Sequence, residues 1–555
     1  MKFKALSVLL LLGGLWPARA SADNRFIVRT TLDLQTLQTV CNPPLLPPLC
    51  TVVQGLGDPL GQLFLITSPL SLGDLLDLPG NPLEIVRAEV DQLLNLFPVG
   101  ALNVLPSPLP ADLMSDRTAV PYPNSGGTVW NSYANQPAAQ KVRVSDAQSQ
   151  FGVSGSGIVA DIDTGVDPTH PALQSVLLPG YDFTRNQPGG SELTDISSSS
   201  CPFTSCPPPP CPSCSSAQVN QSTAAVLDQS TAAVLDGNDQ YAAFGHGTMV
   251  MGVIHLVAPT AQLLPLKTFK ADGTGSLSDI LQAIYYAVQN NANVINMSFD
   301  TQTRSRELRK ALDYANQNNV ICATSAGNEG QAAPPLTVYP AQWQTDVMGV
   351  ASTSDQDTRS SFSNYGNEIV WVAAPGEAIV TTYPFGTYAA GWGTSFSAPF
   401  VSGASSLLLN KQANTNESQA AAAVAHAVPL GSDMGNGRLD LVQALGSLGP
   451  ANVPPTGSIN SPSGYVIIFA GRSVFFSGSG TDPDGTVTGY SWSFPGANPG
   501  SSNVATPGNV TYSTPGTFVA TLTVTDDAGL NDPSPKTRTI VVLPCDLFCN
   551  PLQGL

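Results

Sequence analysis

The chain has 555 residues, which is too many for a single hydrophobic core, so we expect two to four domains. Only 11% of the residues are charged, and the formal net charge is −18. No segment concentrates Lys and Arg, and phosphate binding requires such clusters. The composition therefore argues against a nucleic-acid partner.

The first twenty residues, MKFKALSVLLLLGGLWPARA, have the pattern of a secretory signal. Lys2 and Lys4 make the start positive, a Leu-rich run follows, and Ala18-Arg19-Ala20 has the small residues of a cleavage site. The alternative is a buried N-terminal helix. No other run is long and apolar enough to cross a bilayer. We expect the mature protein to be secreted, to leave the membrane once the signal is removed, and to be a monomer.

Short elements separated by Pro-rich links fill residues 21–118. Residues 25–30 and 62–67 have strand patterns, whereas 83–96 has the apolar spacing of a helix. These elements predict a small α+β fold.

Strand and helix patterns alternate through residues 119–448. Strand patterns cover 157–163, 261–269, 294–299 and 320–325, and helix patterns cover 278–291 and 304–318. This alternation predicts an α/β fold, with a mostly parallel sheet and helices on both faces. An insertion at 187–240 contains QSTAAVLD twice in tandem, at 221–228 and 229–236. Two copies are too few for a solenoid, so we interpret the repeat as a surface loop or a short duplicated element.

The composition changes after Gly449, and Pro454-Pro455 predicts a linker at 449–455. Residues 456–543 contain short strands rich in Val, Thr, Phe and Tyr, with turns such as Asp482-Pro483-Asp484-Gly485. This pattern predicts an Ig-like β-sandwich, which a tail at 544–555 follows.

Nine cysteines agree with an exported protein. Eight of them could form four local disulfides, and the leftover Cys322 lies in an apolar run that predicts a buried core residue. Zinc is the alternative for the central four, although their spacing is not a standard metal pattern. The eight are Cys41 and Cys50, then Cys201, Cys206, Cys211 and Cys214, then Cys545 and Cys549.

Three polar residues stand in unusual local settings. Ser395 lies among small residues in GWGTSFSAPF, His246 lies between two glycines, and Asp163 ends an apolar strand pattern. Each has an ordinary explanation, because Ser, Asp and residues near helix starts commonly cap helices or form turns. Together they could form a nucleophile, a base and the anion that orients the base. The other histidines are interpreted as a turn residue (His170), a packed helix residue (His255) and a residue of an Ala-rich helix (His426).

The three settings resemble the catalytic motifs of the subtilisin-like (subtilase) serine proteases, which also have the order Asp, His, Ser. The matching segments are Asp163-Thr164-Gly165, His246-Gly247-Thr248 and Gly393-Thr394-Ser395-Phe396-Ser397-Ala398-Pro399. A fourth segment, Ser325-Ala326-Gly327-Asn328-Glu329-Gly330, is similar to the segment that forms the family's oxyanion hole. The resemblance implies catalytic roles for Asp163, His246 and Ser395 and an oxyanion donor at Asn328.

The resemblance also implies a peptide-binding cleft between two strand edges. Gly273, Thr274 and Gly275 would form one edge, Ser298 and Phe299 the other, with Gly327 beside the pocket. Two residues depart from the family pattern. Asp300 replaces a usual glycine and would either narrow the pocket or favour basic side chains. Asp161 replaces an apolar residue and, if buried, would need a partner or a raised pKa.

The family resemblance further implies that residues 21–118 are a propeptide that inhibits its own enzyme, and that proteins or peptides are the substrates. No cofactor is required, and structural calcium stays possible although no ligand set is readable. The segment 456–543 resembles a PKD (polycystic kidney disease) domain, either a spacer or a module that binds insoluble substrate. The alternative function is an exported binding or adhesion protein whose subtilisin-like domain is inactive.

Overall fold

The computed structural model describes residues 24–44, 47–96, 112–123, 127–196, 241–449, 453–527 and 529–544. The signal at 1–20, the cysteines from Cys201 to Cys214, the tandem repeat, Cys545 and Cys549 lie outside the described residues. The chain divides into two compact units, residues 1–448 and 449–555. Within the part of the chain that is described, no helix has the length and apolar character of a membrane span.

The N-terminal part of the first unit is a small α+β module. Four antiparallel strands in the order β2-β3-β1-β4 pack two helices around Phe26, Val28 and Ile66. The disulfide expected between Cys41 and Cys50 is present beside this core. The elements are β1 (Asn24–Thr30), α1 (Leu34–Cys41), β2 (Thr51–Gly55), β3 (Leu63–Ser68), α2 (Leu72–Leu76), β4 (Ile85–Val90) and β5 (Leu93–Asn95).

The helix predicted at 83–96 is wrong, because this segment forms β4 and β5. Its β-branched residues Ile85, Val86 and Val90 favour a strand. β4 runs antiparallel to β1, with Phe26 opposite Val90. Pairing with a strand about sixty residues earlier thus overrides a local spacing that also fits a helix.

An eight-stranded sheet forms the centre of the first unit, in the order β10-β9-β11-β8-β13-β14-β15-β16. All neighbours are parallel except the edge pair β9 and β10. The free cysteine Cys322 is buried in β14, as expected. The strands are β8 (Ile158–Asp163), β9 (Tyr181–Asp182), β10 (Gln187–Pro188), β11 (Gln262–Lys267), β13 (Val294–Met297), β14 (Ile321–Ser325), β15 (Met348–Thr353) and β16 (Val372–Pro375).

Helices cover both faces of this sheet, which confirms the α/β prediction. Alternate residues of β8 show the division: Val159 packs with α6 and α9, whereas Ala160 and Ile162 pack with α7 and α8. The helices are α3 (Asn131–Ala134), α4 (Pro137–Lys141), α5 (Val144–Phe151), α6 (His246–Val257), α7 (Leu277–Gln289), α8 (Arg306–Gln317), α9 (Thr394–Lys411), α10 (Glu417–Val424) and α11 (Leu441–Ser447).

Smaller elements complete the first unit. Two antiparallel hairpins are formed by β6 (Ala119–Pro121) with β7 (Thr128–Trp130) and by β17 (Ile379–Tyr383) with β18 (Thr387–Gly391). A short 3-10 helix, Glu192–Asp195, follows β10, so the first residues of the predicted insertion continue the edge of the sheet. The strand β12 (Thr274–Ser276) pairs with β5 of the N-terminal module.

The second unit is a β-sandwich, as expected from its sequence. Sheets of four and five strands, β19-β21-β25-β23 and β20-β27-β26-β22-β24, enclose Phe476, Trp492 and Leu522. The strands are β19 (Thr456–Ser461), β20 (Val466–Phe469), β21 (Arg472–Thr481), β22 (Val487–Ser493), β23 (Ala497–Asn498), β24 (Ser501–Ser502), β25 (Gly508–Tyr512), β26 (Gly516–Asp526) and β27 (Lys536–Leu543).

Candidate active site

Asp163 and His246 meet at the carboxyl end of the central sheet. Asp163 is the last residue of β8, His246 is the first of α6, and both are buried. Asp163 Oδ1 lies 2.6 Å from His246 Nδ1 and accepts a hydrogen bond of 2.6 Å from the Thr164 backbone N–H. The carboxylate is therefore fixed against one ring nitrogen and turns the other ring nitrogen away from β8.

The close approach of the turn after β8 to the start of α6 explains the glycine in the His motif. A Cβ on Gly247 would lie 2.0 Å from the carbonyl oxygen of Gly165. The Gly247 backbone N–H also donates to Thr164 Oγ1 at 2.9 Å. The Asp and His motifs are thus joined by backbone contact that a larger side chain would prevent.

Ser395 is the second residue of α9 and is 6% exposed. Its Oγ donates to the carbonyl of Ser298 at 3.1 Å. The ring of the adjacent Phe396 lies 5.9 Å from the imidazole of His246. The structure therefore brings Asp163 and His246 into contact and places Phe396, the residue after Ser395, against the imidazole of His246.

Pro399 is the sixth residue of α9 and lies beyond the first turn of that helix. A residue at this position would normally donate its N–H to the carbonyl of Ser395, and proline has no N–H. The hydroxyl of Ser298 replaces that donor, at 2.9 Å from the Ser395 carbonyl oxygen. The Ser395 carbonyl thereby has a hydrogen-bond donor in place of the missing backbone bond.

Asn328 follows β14 in the loop beside the start of α9. Its Oδ1 accepts from the backbone N–H of Thr394 at 2.8 Å and from Thr394 Oγ1 at 3.0 Å. These bonds fix the amide so that Nδ2 lies on the side opposite Thr394. The preceding Gly327 has φ +93°, and a Cβ there would lie 2.4 Å from Asn364 Nδ2.

A strand of the N-terminal module occupies the first predicted cleft edge. β5 pairs antiparallel with β12, with Leu94 opposite Gly275 and Asn95 opposite Thr274. The Leu96 backbone N–H continues this pairing to the Gly273 carbonyl at 2.9 Å. The opposite edge contains Ser298 and Phe299, which directly follow β13. The chain thus shows strand addition at Gly273, Thr274 and Gly275.

The N-terminal module also binds the starts of two helices of the sheet domain. Asp91 Oδ1 accepts from the Ser278 backbone N–H of α7 at 2.8 Å, and Glu89 accepts from the Arg306 backbone N–H of α8 at 3.2 Å. Arg29 adds a buried ion pair of 2.7 Å to Glu307. Anions at helix starts satisfy otherwise unpaired N–H groups. Sequence reasoning missed these contacts, because no local motif marks them.

Two carboxyl groups border the pocket beside Gly327. A Cβ on Gly327 would lie 3.0 Å from Glu329 Oε2 and 3.4 Å from Asp300 Oδ2. Burial, together with the nearby Glu329 carboxylate, raises the pKa of Asp300 well above its usual range. Neither group has an ion pair with a cation among the described residues.

Glu192 is a buried carboxyl group that sequence reasoning missed. It accepts from the Gly245 backbone N–H at 2.7 Å, from Thr164 Oγ1 at 3.1 Å and from Thr248 Oγ1. Burial raises its pKa to about 8. Its contacts hold the loop before His246 against the turn after Asp163.

In the described ranges of the chain, no group of three or more His, Cys, Asp or Glu could hold a metal ion.

Two family models match parts of this chain. The model of the subtilase family matches residues 155–450, and the model of the PKD domain matches residues 452–542. Thermitase of Thermoactinomyces vulgaris is 30% identical over 292 residues, which are 52% of this chain and 87% of thermitase. Subtilisin E of Bacillus subtilis (strain 168) is 39% identical over 185 residues, or 31% of this chain and 48% of that protein.

The chain thus spans about half the length of subtilisin E and of subtilisin NAT from Bacillus subtilis subsp. natto, of which 48% is likewise covered. A solved structure, that of a cold adapted subtilisin-like serine proteinase, has a TM-score of 0.40 and 25% identity, covering 52% of this chain and 90% of that one. The family model matches more than half of the present sequence. The chain therefore belongs to the subtilase family and also contains a PKD domain.

Proposed function

We propose that this protein is a secreted serine endopeptidase that hydrolyses peptide bonds of proteins or peptides through an acyl-enzyme. The observation that carries the proposal is the 2.6 Å contact between Asp163 and His246, supported by the 5.9 Å between that imidazole and the ring of Phe396, the neighbour of Ser395 in the chain. A serine hydroxyl is a weak nucleophile until a base accepts its proton. Subtilase membership and the geometry of these residues support the same reaction.

In the proposed mechanism, His246 accepts the proton of Ser395 as Ser395 Oγ attacks the peptide carbonyl. Asp163 holds the imidazole in the required tautomer and stabilises its cation. His246 then returns the proton to the leaving amine, and water hydrolyses the acyl-enzyme by the same steps. Asn328 Nδ2 and the Ser395 backbone N–H at the start of α9 stabilise the oxyanion.

The cleft is proposed to bind substrate as an added strand. Gly273, Thr274 and Gly275 form one edge of it, and Ser298 and Phe299 form the other, with Gly327 beside the pocket. The pairing of β5 with β12 supports this role, because it is the contact that a peptide substrate would make. The same pairing supports the proposal that residues 21–118 are an inhibitory propeptide.

The remaining domain roles are proposals of the same kind. Residues 1–20 are proposed as the secretory signal, 119–448 as the peptidase domain with its insertion at 187–240, and 449–455 as a linker. Residues 456–543 are proposed as a PKD-like module and 544–555 as a tail. We propose a monomer that needs no cofactor for the reaction.

Labelling with a fluorophosphonate tests the function. We expect the processed protein to be labelled, and labelling to disappear in Ser395→Ala. Ser405→Ala is the matched control, because this serine lies on the same helix and its hydroxyl bonds back to the Val401 carbonyl. No labelling of the processed wild-type protein would instead support the alternative, a binding protein with an inactive domain.

Replacement of the oxyanion donor tests the mechanism further. We expect Asn328→Ala to lower kcat by roughly 10²–10³, a magnitude that comes from subtilisin itself. KM should change little, because the oxyanion forms only in the transition state. An unchanged kcat in this variant would contradict the role of Asn328.

A further inference from the structure

Asp161 is a buried carboxyl group that the proposed mechanism does not use. It lies in the middle of β8, is 1% exposed, and shares a strand face with Asp163 two residues later. Burial, followed by the charge of Asp163, raises the pKa of Asp161 well above its usual range, which favours the neutral form of the group. An apolar residue would fill this position without that desolvation.

The side chain of Asn296 connects Asp161 to the opposite cleft edge. Asn296 lies directly beside Asp161 on the neighbouring strand β13. Its Nδ2 donates to Asp161 Oδ1 at 2.9 Å and to Ser298 Oγ at 3.0 Å. Its Oδ1 accepts from Ser402 Oγ of α9 at 2.8 Å. Both N–H donors of this buried amide are used and its oxygen accepts one bond, so the amide has one favoured orientation.

Ser298 then connects this amide to the nucleophile. Because Ser298 Oγ accepts from Asn296, its own hydrogen points to the Ser395 carbonyl, which is 2.9 Å away. This is the carbonyl that Pro399 leaves without a backbone donor. A continuous series of hydrogen bonds therefore runs from β8 through β13 to the first turn of α9.

We propose that Asp161 is a positioning residue for Ser395, acting through the hydrogen-bonded series Asp161–Asn296–Ser298–Ser395. It fixes the orientation of the Asn296 amide, which directs the Ser298 hydroxyl to the Ser395 carbonyl. The proposal rests on the proposed function, since it concerns the nucleophile of that reaction. Asp161 does not contact substrate and takes no part in proton transfer.

The charged and polar groups around Asp161 determine how a variant at this position changes the pH profile of kcat. The ionisable groups that face it are Asp163 on the same strand and Glu192 from the 3-10 helix. Its polar neighbours on β13 and α9, Asn296 and Ser402, do not titrate. Because the raised pKa favours the neutral form of Asp161, we expect its replacement by asparagine, a neutral acceptor, to leave the pH profile of kcat unchanged.

Two variants at position 161 distinguish the effect of the hydrogen-bond acceptor from the effect of side-chain volume. Asp161→Asn keeps an oxygen acceptor for Asn296, whereas Asp161→Val removes it and restores an apolar side chain. The matched control is Val159→Ala, which shortens a buried residue on the same face of β8. The rate of labelling by a fluorophosphonate, kcat, KM and the pH profile of kcat are measured for each variant, together with its melting temperature.

We expect Asp161→Val to label Ser395 about tenfold more slowly and to lower kcat about tenfold, with KM within about twofold of wild type. Asp161→Asn should stay within about threefold of wild type and keep its pH profile. Val159→Ala should lower the melting temperature without slowing the labelling. Should Asp161→Val fail to fold, Ser402→Ala removes the donor to Asn296 Oδ1 and should slow labelling severalfold.

Labelling of Asp161→Val, or of Ser402→Ala in its place, at the rate of Val159→Ala would overturn the proposal. It would also be overturned by an Asp161→Asn variant that is as slow as Asp161→Val, because a charge rather than an acceptor would then matter. No labelling of wild type overturns the proposed function and this proposal together. Equal labelling of wild type and Asp161→Val overturns this proposal alone.

Discussion

Ser298 and Ser395 exchange two hydrogen bonds. Ser395 Oγ donates to the Ser298 carbonyl at 3.1 Å, and Ser298 Oγ donates to the Ser395 carbonyl at 2.9 Å. One residue lies at the edge of the cleft after β13 and the other in the first turn of α9. The position of Ser395, the proposed nucleophile, is thus fixed directly by the strand edge that would hold the substrate.

Removing the hydroxyl of Ser298 tests this connection. Pro399 has no N–H to donate to the Ser395 carbonyl, and Ser298→Ala also removes the hydroxyl that donates to it. The carbonyl is then buried without a donor, which lowers the free energy of unfolding by about 1–3 kcal/mol. We expect kcat to fall about tenfold and the melting temperature to decrease. Steady-state kinetics and thermal unfolding measure both effects.

A double variant supplies the control for this prediction. Pro399→Ala introduces a backbone N–H that can donate to the Ser395 carbonyl in the ordinary helical way. Ser298→Ala/Pro399→Ala should therefore recover most of the lost kcat. A double variant that is as slow as Ser298→Ala would show that the Ser395 carbonyl is not the group that matters.

The contacts of Asp91 predict part of the affinity of the N-terminal module, the proposed inhibitor, for the rest of the first unit. Asp91 accepts from the Ser278 backbone N–H at 2.8 Å and from Ser278 Oγ at 3.0 Å, at the start of α7. Loss of such a capping contact costs about 1–2 kcal/mol. We expect Asp91→Ala to raise the inhibition constant of the module, added to mature enzyme, about tenfold or more.

Asp74→Ala is the matched control for Asp91→Ala. It also removes a carboxylate from the module, but Asp74 is exposed and bonds to Ser71 within the module. Its inhibition constant should equal that of the unaltered module. Equal inhibition by the Asp91 and Asp74 variants would contradict the proposed contact.

Glu192 predicts a pH dependence of stability. Its pKa in the folded protein is about 8, above the usual 4.5, because burial disfavours the charged form. Glu192 therefore binds its proton more tightly in the folded state than in the unfolded state. Its contribution to the free energy of unfolding is complete below about pH 4.5 and is lost as pH rises to about 8. The steepest loss is about 1.4 kcal/mol per pH unit.

Glu192→Gln should remove this loss, because glutamine stays neutral and can place its carbonyl oxygen toward the Gly245 N–H. We expect wild type and variant to have similar melting temperatures near the acid end of this range, and the variant to be the more stable near pH 8. Glu417→Gln is a comparison at a distant buried carboxyl, whose pKa burial also raises to about 8. Parallel pH profiles of wild type and Glu192→Gln would contradict the prediction.

The carboxyl pair of Asp300 and Glu329 predicts an effect on selectivity. Burial and the nearby Glu329 favour the neutral form of Asp300 in the empty cleft, and a basic side chain beside it would favour the ionised form. Asp300→Asn keeps the size of the side chain but cannot ionise, so it distinguishes a narrowed pocket from an acidic one. We expect kcat/KM for peptides with Lys or Arg before the scissile bond to fall about tenfold relative to peptides with Phe there. A library of matched peptides measures this ratio. An unchanged ratio would contradict the acidic role and would mean that Asp300 acts by narrowing the pocket.

Much of the fold and the site could be predicted from sequence, because the relevant signals are local. Apolar spacing identified β8, β11, α7 and α8 to within a few residues. The small and polar residues around Asp163, His246, Asn328 and Ser395 marked each position separately. The prediction for residues 83–96 was wrong because the apolar spacing there fits a helix as well as a strand. Only the pairing with β1 decides between the two.

The amino-acid sequence by itself determined which side chains can perform the chemistry and which alternating elements build the sheet, since both depend on residue types within a few positions. Only the tertiary structure decided how those side chains are held. The partner of Asp161, the donor for the Ser395 carbonyl and the contacts of Asp91 come from residues 97 to 187 positions away in the chain. Such contacts arise when strands and helices pack, and no local pattern of residues specifies them.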